Sequence, residues 1–277
     1  MLEWATAYLG DKAVPSPRLS IEWILSHILA CKRLDLYLKF DRPISPEELS
    51  AIKPLLLRRA KHEPLQYITG STDFFGLELQ TRPGALIPRP ETEQLVEIVL
   101  EHHDAKSMRV LDLGTGSGCI PIALKHERPD WQLCGSDISR EALELAALNA
   151  SRHELELSFV EHDFFEADWN SEEFPAPFDL IVSNPPYIPQ AEYDNIEEQV
   201  RAYEPDIALF YPDVMQVYRA LINFARKQLS EEGDIYVEIH EELSEDIRRL
   251  FAQSFHRHQL INDYSGKPRF IRASHIL

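Results

Sequence analysis

The stretch "MRVLDLGTGSGCIPIALKHE", residues 108–127, changes its periodicity in the middle. An apolar run reads as a strand as far as Asp112. Gly114, Gly116 and Gly118 then alternate with Thr115 and Ser117, and "GCIPIALKHE" reads as a helix. Glycines let a backbone turn tightly and approach a ligand with no side chain in the way. The following helix points unpaired N–H groups at the loop, which favours a carboxylate or phosphate there. A dinucleotide fingerprint would need a third glycine at position 119, where Cys119 stands. Asp112, just before the loop, suits a cationic ligand better than a pyrophosphate.

Outward from this unit the same alternation continues. The helix "ETEQLVEIVLEHH" precedes it. Strand "WQLCGSDI", helix "SREALELAALNASRH", strand "LSFVEHD" and strand "FDLIVSNPP" follow. After these come helix "DVMQVYRALINFARKQL", strand "GDIYVEIH", helix "LSEDIRRLFAQS" and a last strand near "RFIRASHI". Short apolar strands alternating with helices predict an α/β fold, with a mostly parallel sheet covered on both faces. Upstream, Ile21, Ile24, Leu25, Ile28 and Leu29 recur at helical spacing. Ser45, Pro46 and Glu48 form a capping-box signature, and Pro54 should kink or split the helix they begin. "DFFGLELQTRPGALIPRPETE" reads as a strand pair joining the two parts. The expected organisation is a helical domain at residues 1–72, a β-hairpin linker at 73–88 and the sheet domain at 89–277.

Ligands in such sheets lie beyond the carboxyl ends of the strands, and three further motifs fall there. Asp137 closes "GSDI" about twenty residues past the loop, where an acid accepts both hydroxyls of a ribose. Asp163 and Phe164 close the next strand; a carboxylate there can accept from an adenine amino group, and the aromatic can lie against the ring. Carboxylate, ribose and adenine sites in sequence order fit S-adenosylmethionine, whose sulfonium tolerates the acids. The fourth strand ends in Asn184, Pro185, Pro186 and Tyr187. The paired prolines fix where the Asn184 side chain and the Pro185 carbonyl point. Two acceptors held together suit the two N–H donors of a planar amide or amino group, whose nitrogen would then face the methyl. Tyr187 could cover that flat group and face the cationic methyl.

Together "VLDLGTGSG", "SDI", "IVSNPPYI" and "ALIPRPETE" resemble the release-factor glutamine methyltransferases, the HemK/PrmC family. "RRAKHEPLQYITG" in the helical segment, "YEPDIAL", "YVEIH" and "DYSGKPRFIRA" are similar to that family as well, so the resemblance covers nearly the whole chain. It implies a Rossmann-like, seven-stranded S-adenosylmethionine-dependent methyltransferase domain. The implied reaction is N5-methylation of the glutamine in a Gly-Gly-Gln tripeptide of peptide-chain release factors. Gly114, Thr115, Gly116, Ser117, Gly118, Asp137, Phe164 and Asn184 would contact the cofactor. Asn184, Pro185, Pro186 and Tyr187 would hold the glutamine amide, with Arg89 and Glu91 beside the site. "ALFYPDVMQVYRAL" departs from the family, many members of which carry a Gly-rich stretch ending in Asp-Gly-Leu. The helical segment would dock the release factor.

Composition narrows the alternatives. The net charge is −18, and residues 76–277 hold 18 Lys/Arg against 37 Asp/Glu. A duplex-binding enzyme needs cationic surface to replace phosphate counterions, so the charge speaks against a DNA adenine or cytosine methyltransferase. A non-catalytic S-adenosylmethionine-binding protein is the alternative from another class. No apolar run reaches the roughly 18 residues of a membrane span, and without a basic start followed by an apolar stretch in "MLEWATAYLGDK" a secretory signal is not expected. Cys31, Cys119 and Cys134 read as buried thiols of a reducing compartment, here the cytoplasm. The histidines of "EHHD" (residues 101–104) and "FHRHQ" read as solvated helix ends, and no metal site is expected. The expected partners are release factors, without direct nucleic acid or membrane contact, and the chain is expected to act as a monomer.

Overall fold

A computed structural model describes residues 1–38 and 41–277 of the chain. The N-terminal helices are α1 (Leu2–Asp11), α2 (Pro17–Leu29), α3 (Asp35–Leu38), α4 (Pro46–Arg59) and α5 (Leu65–Thr69). They bury Ala5, Leu9, Ile21, Ile24, Ile52, Leu56 and Ile68 against one another. Helix α4 starts with the expected capping box: the Glu48 N–H donates to Ser45 Oγ (3.2 Å) and the Ser45 N–H to Glu48 Oε2 (2.9 Å). Pro54 does not split this helix, which runs through to Arg59. Pro54 lies on its exposed face, where water can serve the carbonyl left without a donor.

The hairpin consists of β1 (Ser71–Phe74) and β2 (Leu77–Gln80). Phe75 and Gly76 between them both take positive φ (51° and 76°), the twist that a two-residue hairpin favours. Then follow α6 (Pro90–His102), β3 (Arg109–Leu113), α7 (Cys119–Glu127), β4 (Gln132–Asp137), α8 (Arg140–Arg152), β5 (Ser158–Glu161) and β6 (Phe178–Ser183). Beyond these lie β7 (Ile188–Pro189), α9 (Glu198–Tyr203), α10 (Asp206–Leu209), β8 (Phe210–Tyr211), α11 (Val214–Gln228), β9 (Leu229–Glu238), α12 (Ser244–Ala252), β10 (Phe255–Asn262) and β11 (Pro268–Ile276). Two compact units result. One holds Met1–Ser71, Thr81–Pro83 and Ile196–Tyr203; the other holds Thr72–Gln80, Gly84–Asn195 and Glu204–Leu277.

The second unit carries a seven-stranded sheet of order β10-β11-β9-β6-β3-β4-β5. Strands β3 to β6 and β9 are parallel, and β11 runs antiparallel to both of its neighbours. Its central strands are apolar on both faces because both are covered. Leu111, Leu113, Ile181, Ile235 and Val237 pack with Val217, Leu221 and Phe224 of α11. Val110, Leu180, Val182 and Tyr236 pack on the other side with Leu95 and Val99 of α6 and Leu124 of α7. Truncating one such leucine to alanine costs about 2–5 kcal/mol.

Three local expectations are corrected. "FHRHQ" lies in β10, an edge strand pairing with β11, and not at a helix end. His103 is half-buried, with Nε2 3.1 Å from the Tyr236 hydroxyl, rather than solvated. All three cysteines are free, but only Cys134 is fully buried, Cys31 and Cys119 being half-buried. No helix among the described residues is long and apolar enough to cross a membrane.

Candidate active site

The sheet order reverses at β3, whose neighbours are β4 on one side and β6 on the other. The loops that leave β3 and β6 are therefore adjacent at the carboxyl edge, where an open α/β sheet leaves a crevice. The glycine loop leaves β3 and "NPPY" leaves β6, so local sequence and topology bring the two motifs together.

The loop is fastened from below. The N–H groups of Gly114 and Thr115 both donate to the Ser136 carbonyl of β4, at 2.9 and 2.8 Å. The Gly116 N–H donates to Asp137 Oδ2 at 2.9 Å. Asn149 of α8 donates to the Ser117 carbonyl (3.0 Å) and exchanges hydrogen bonds with the backbone of Gln80. The three glycines serve different ends. At Gly114 and Gly116 an added Cβ would meet nothing within 4 Å, so both face open space. At Gly118 (φ 80°) it would lie 2.9 Å from the Ala146 Cβ, so this glycine admits helix α8. A Cβ on Gly135 would fall 2.6 Å from Thr115 Oγ1, so beside Gly118 a second glycine around the loop is crowded by its neighbours.

Of the residues singled out in the sequence, Gly114, Gly116, Asp137, Asp163, Phe164, Asn184 and Pro186 line one cavity of about 270 Å³. Thr115, Ser117, Gly118, Pro185, Tyr187, Arg89 and Glu91 are not among its lining residues. Thr115 and Ser117 are buried beneath the loop. Two walls had not been assigned from sequence: residues 84–86, and Pro205, Ile207, Ala208, Phe210 and Tyr211. Glu204 joins them. Its side chain accepts from the Ile87 N–H (3.0 Å) and from Arg89 Nη2 (2.6 Å). Arg89 thus acts as a clasp between the walls, while Glu91 is exposed in the first turn of α6. The second wall includes part of the stretch that departs from the family pattern. It is pinned by the pairing of Ile188 with Phe210, and α11 begins after it with Asp213 as its cap.

Three acids shape the electrostatics. Asp112 is fully buried and neither carboxylate oxygen makes a hydrogen bond of normal geometry. Burial pushes it up to about 7, with partial relief from the Thr115 hydroxyl and a further push from the charge of Asp137. Asp137 accepts from the N–H groups of Gly116 and Ser139 (both 2.9 Å), yet burial still raises it above the ordinary carboxylate range. It does not cap α8: Ser139 does, accepting from the Ala142 N–H at 3.2 Å. Asp163 accepts from the Phe165 N–H at 2.9 Å, and the Phe164 and Phe165 rings stack at 5.1 Å. The cavity's described lining holds Asp137 and Asp163 and no Lys or Arg, with Asp112 buried out of the lining. Such a lining accommodates a cation bearing hydroxyl donors and disfavours a polyphosphate.

At the far end, the Asn184 Nδ2 donates to Thr92 Oγ1 (3.0 Å), and Thr92 Oγ1 donates to Glu238 Oε2 (2.9 Å). The Tyr187 hydroxyl donates to Glu238 Oε1 at 2.8 Å. Thr92 and Glu238 had not been singled out in the sequence. A lone acid inside the apolar run "IYVEIH" was the available signal, because buried acids are rare unless partnered. Among the described residues no three His, Cys, Asp or Glu side chains are grouped as metal ligands.

Comparison with known proteins agrees with this geometry. Residues 1–70 match the PrmC N-terminal domain, and residues 90–202 match the methyltransferase small domain. A release factor glutamine methyltransferase of Chlorobaculum tepidum is 37% identical over 277 residues, covering 97% of this chain and 94% of the relative. One from Geobacter sulfurreducens is 41% identical over 255 residues, covering 92% and 88%. Among solved structures, a T. thermophilus 16S rRNA methyltransferase in complex with AdoMet and guanosine shares the fold, with a TM-score of 0.55 at 21% identity, covering 74% of this chain and 49% of the other. Near-full-length identity of this order shows the family: the chain belongs to the release factor glutamine methyltransferases and is an S-adenosylmethionine-dependent methyltransferase of Rossmann-like α/β fold.

Proposed function

We propose that this protein methylates the side-chain nitrogen of the glutamine in a Gly-Gly-Gln tripeptide of peptide-chain release factors. The relatives' names supply the substrate class. The observation that carries the reading to the chemistry is the anchoring of the Asn184 amide nitrogen on Thr92 beside the cavity, which leaves its oxygen to accept. S-adenosylmethionine supplies an electrophilic methyl on a positively charged sulfur. The loop from Gly114 to Gly118 would hold its amino-acid end, with Gly114 and Gly116 facing it, Asp137 its ribose hydroxyls, and Asp163 and Phe164 its adenine. Asn184 Oδ1 and the Pro185 carbonyl accept the two N–H groups of the glutamine amide, and Pro186 walls the site. Tyr187, held by Glu238, completes the clamp, and Arg89, clasped to Glu204, and Glu91 sit beside the site.

The amide lone pair is delocalised and weakly nucleophilic, so the contribution of these residues is orientation and exclusion of water. Bound there, the cofactor would supply a methyl group whose transfer leaves a neutral thioether. Asn184 and the Pro185 carbonyl would hold the amide nitrogen in line, and the proton it gives up would pass to solvent water. Residues 1–72 would dock the release factor, residues 73–88 link, and residues 89–277 catalyse. The test is methyl transfer from labelled cofactor to purified release factor, with a control in which the tripeptide glutamine is changed to alanine. Labelling that disappears in the control is expected. Labelling of duplex DNA with none of the release factor would overturn the reading.

A further inference from the structure

An asparagine amide is nearly symmetric in shape, so packing alone hardly distinguishes its oxygen from its nitrogen. The two ends differ in consequence: the oxygen accepts from a substrate N–H, whereas the nitrogen would meet it donor to donor. Something must decide which end faces the cavity, and in this molecule the deciding group lies two hydrogen bonds away. Glu238 is 1% exposed and accepts at both oxygens, from Tyr187 on one and from Thr92 on the other. With both oxygens accepting, from Tyr187 and from Thr92, the carboxylate gives no proton, and the single hydroxyl proton of Thr92 points toward it. Thr92, 2% exposed, can then only accept from Asn184, and only the amide nitrogen can supply that bond.

We propose that Glu238 and Thr92 are positioning residues. They set the polarity of the Asn184 amide, holding its oxygen toward the cavity, and so select a substrate nitrogen that carries hydrogens over a carbonyl oxygen. This rests on the reading that Asn184 holds the substrate amide. Burial pushes Glu238 above the ordinary carboxylate range, opposed by the hydrogen bonds from Tyr187 and Thr92 and by the charge of Arg269. The Tyr218 hydroxyl donates to the Glu238 backbone carbonyl at 3.1 Å, which fixes the strand end itself. Thr92 and Glu238 are 146 residues apart in the chain, and both are fully covered.

The experiment compares Thr92→Val, Thr92→Ser and Glu238→Gln in the full-length protein, measuring kcat and KM for release-factor methylation and S-adenosylmethionine affinity by calorimetry. Thr92→Val keeps the shape and removes both bonds; kcat should fall about tenfold or more, with cofactor affinity unchanged within about twofold. Thr92→Ser restores the hydroxyl and should recover to within about threefold of the parent. Glu238→Gln presents an amide that can turn either end to Thr92, lets the chain run in both directions, and should also lower kcat about tenfold. Parental kcat in folded Thr92→Val, or a serine variant as impaired as the valine one, overturns the proposal. Should Thr92→Val not fold, parental kcat in Glu238→Gln overturns it. Failure of the parent protein to methylate release factor would instead defeat the underlying functional reading. A parent that methylates, with Asn184→Ala inactive and Thr92→Val unimpaired, defeats this inference alone.

Discussion

At one end of the cavity the loop at 114–118 stands over Asp112, a buried carboxylate without a proper hydrogen bond, and presents two glycines to open space. At the other end Asn184, Thr92, Glu238 and Tyr187 are joined in one hydrogen-bonded chain that leaves the Asn184 oxygen to accept. The first end leaves a buried carboxylate unpaired, at a cost in stability. The second is complete beforehand, so its acceptors are already aimed. Buried polar groups left unpaired cost stability, while preorganised ones lower the cost of reaching a reactive geometry. The difference therefore predicts that damage to the clamp appears in turnover, and damage to the loop in stability and cofactor affinity.

The sharpest way to break this contrast is Asn184→Ala. Turnover should drop about a hundredfold or more while S-adenosylmethionine affinity changes only modestly, as read by single-turnover kinetics and calorimetry. A parallel loss of affinity would show that the two ends are not separable. Next in size is a pair inside the loop. Gly118→Ala places a methyl 2.9 Å from Ala146 at a φ of 80° and should cost about 2–3 kcal/mol in denaturant unfolding. Gly116→Ala meets only open space, so its stability cost should stay near the roughly 1–2 kcal/mol of the backbone conformation, with the larger effect on cofactor affinity. Equal stability losses would mean that the glycines do not divide their roles as described.

The third effect is the most diagnostic of the unsatisfied end. In the unfolded chain Asp112 loses its proton near the ordinary carboxylate value of about 4. In the folded chain burial holds the proton until about 7. Between those values the folded form binds the extra proton, so the stability of the parent falls as pH rises through this window and levels off above it. Asp112→Asn removes that term. Thermal unfolding should find the variant close to the parent near pH 4. Near pH 8 it should be more stable, by up to about 4 kcal/mol for the interval from about 4 to about 7, or several degrees. A variant less stable than the parent at pH 8 would show that the carboxylate is satisfied after all.

Much of this arrangement could be read along the chain. Strands such as "VLDL" and "LIVS" announce themselves as apolar runs ended by turn residues, and Asp137, Asp163 and Asn184 each stand where such a run stops. Strand β10 was missed because an edge strand with solvated positions alternates weakly: His256, Arg257 and Gln259 are exposed, and Phe255 alone is fully buried. The walls at 84–86 and 205–211 carry no chemistry-bearing motif, so only their meeting over the loop reveals them.

By itself the sequence determined the strand–glycine loop–helix unit, the acids at the strand ends and the rigid Asn-Pro-Pro-Tyr terminus, because each follows from contacts within a few residues. Tertiary structure alone decided that Gly118 serves helix packing while Gly114 and Gly116 face the cavity. It also decided that Arg89 clasps Glu204 and that Glu238 orients Asn184 through Thr92. The physical reason is the range of the interactions. Backbone geometry is local, but a buried hydrogen-bond chain depends on groups from β6, β9 and α6 that meet only once the sheet has formed.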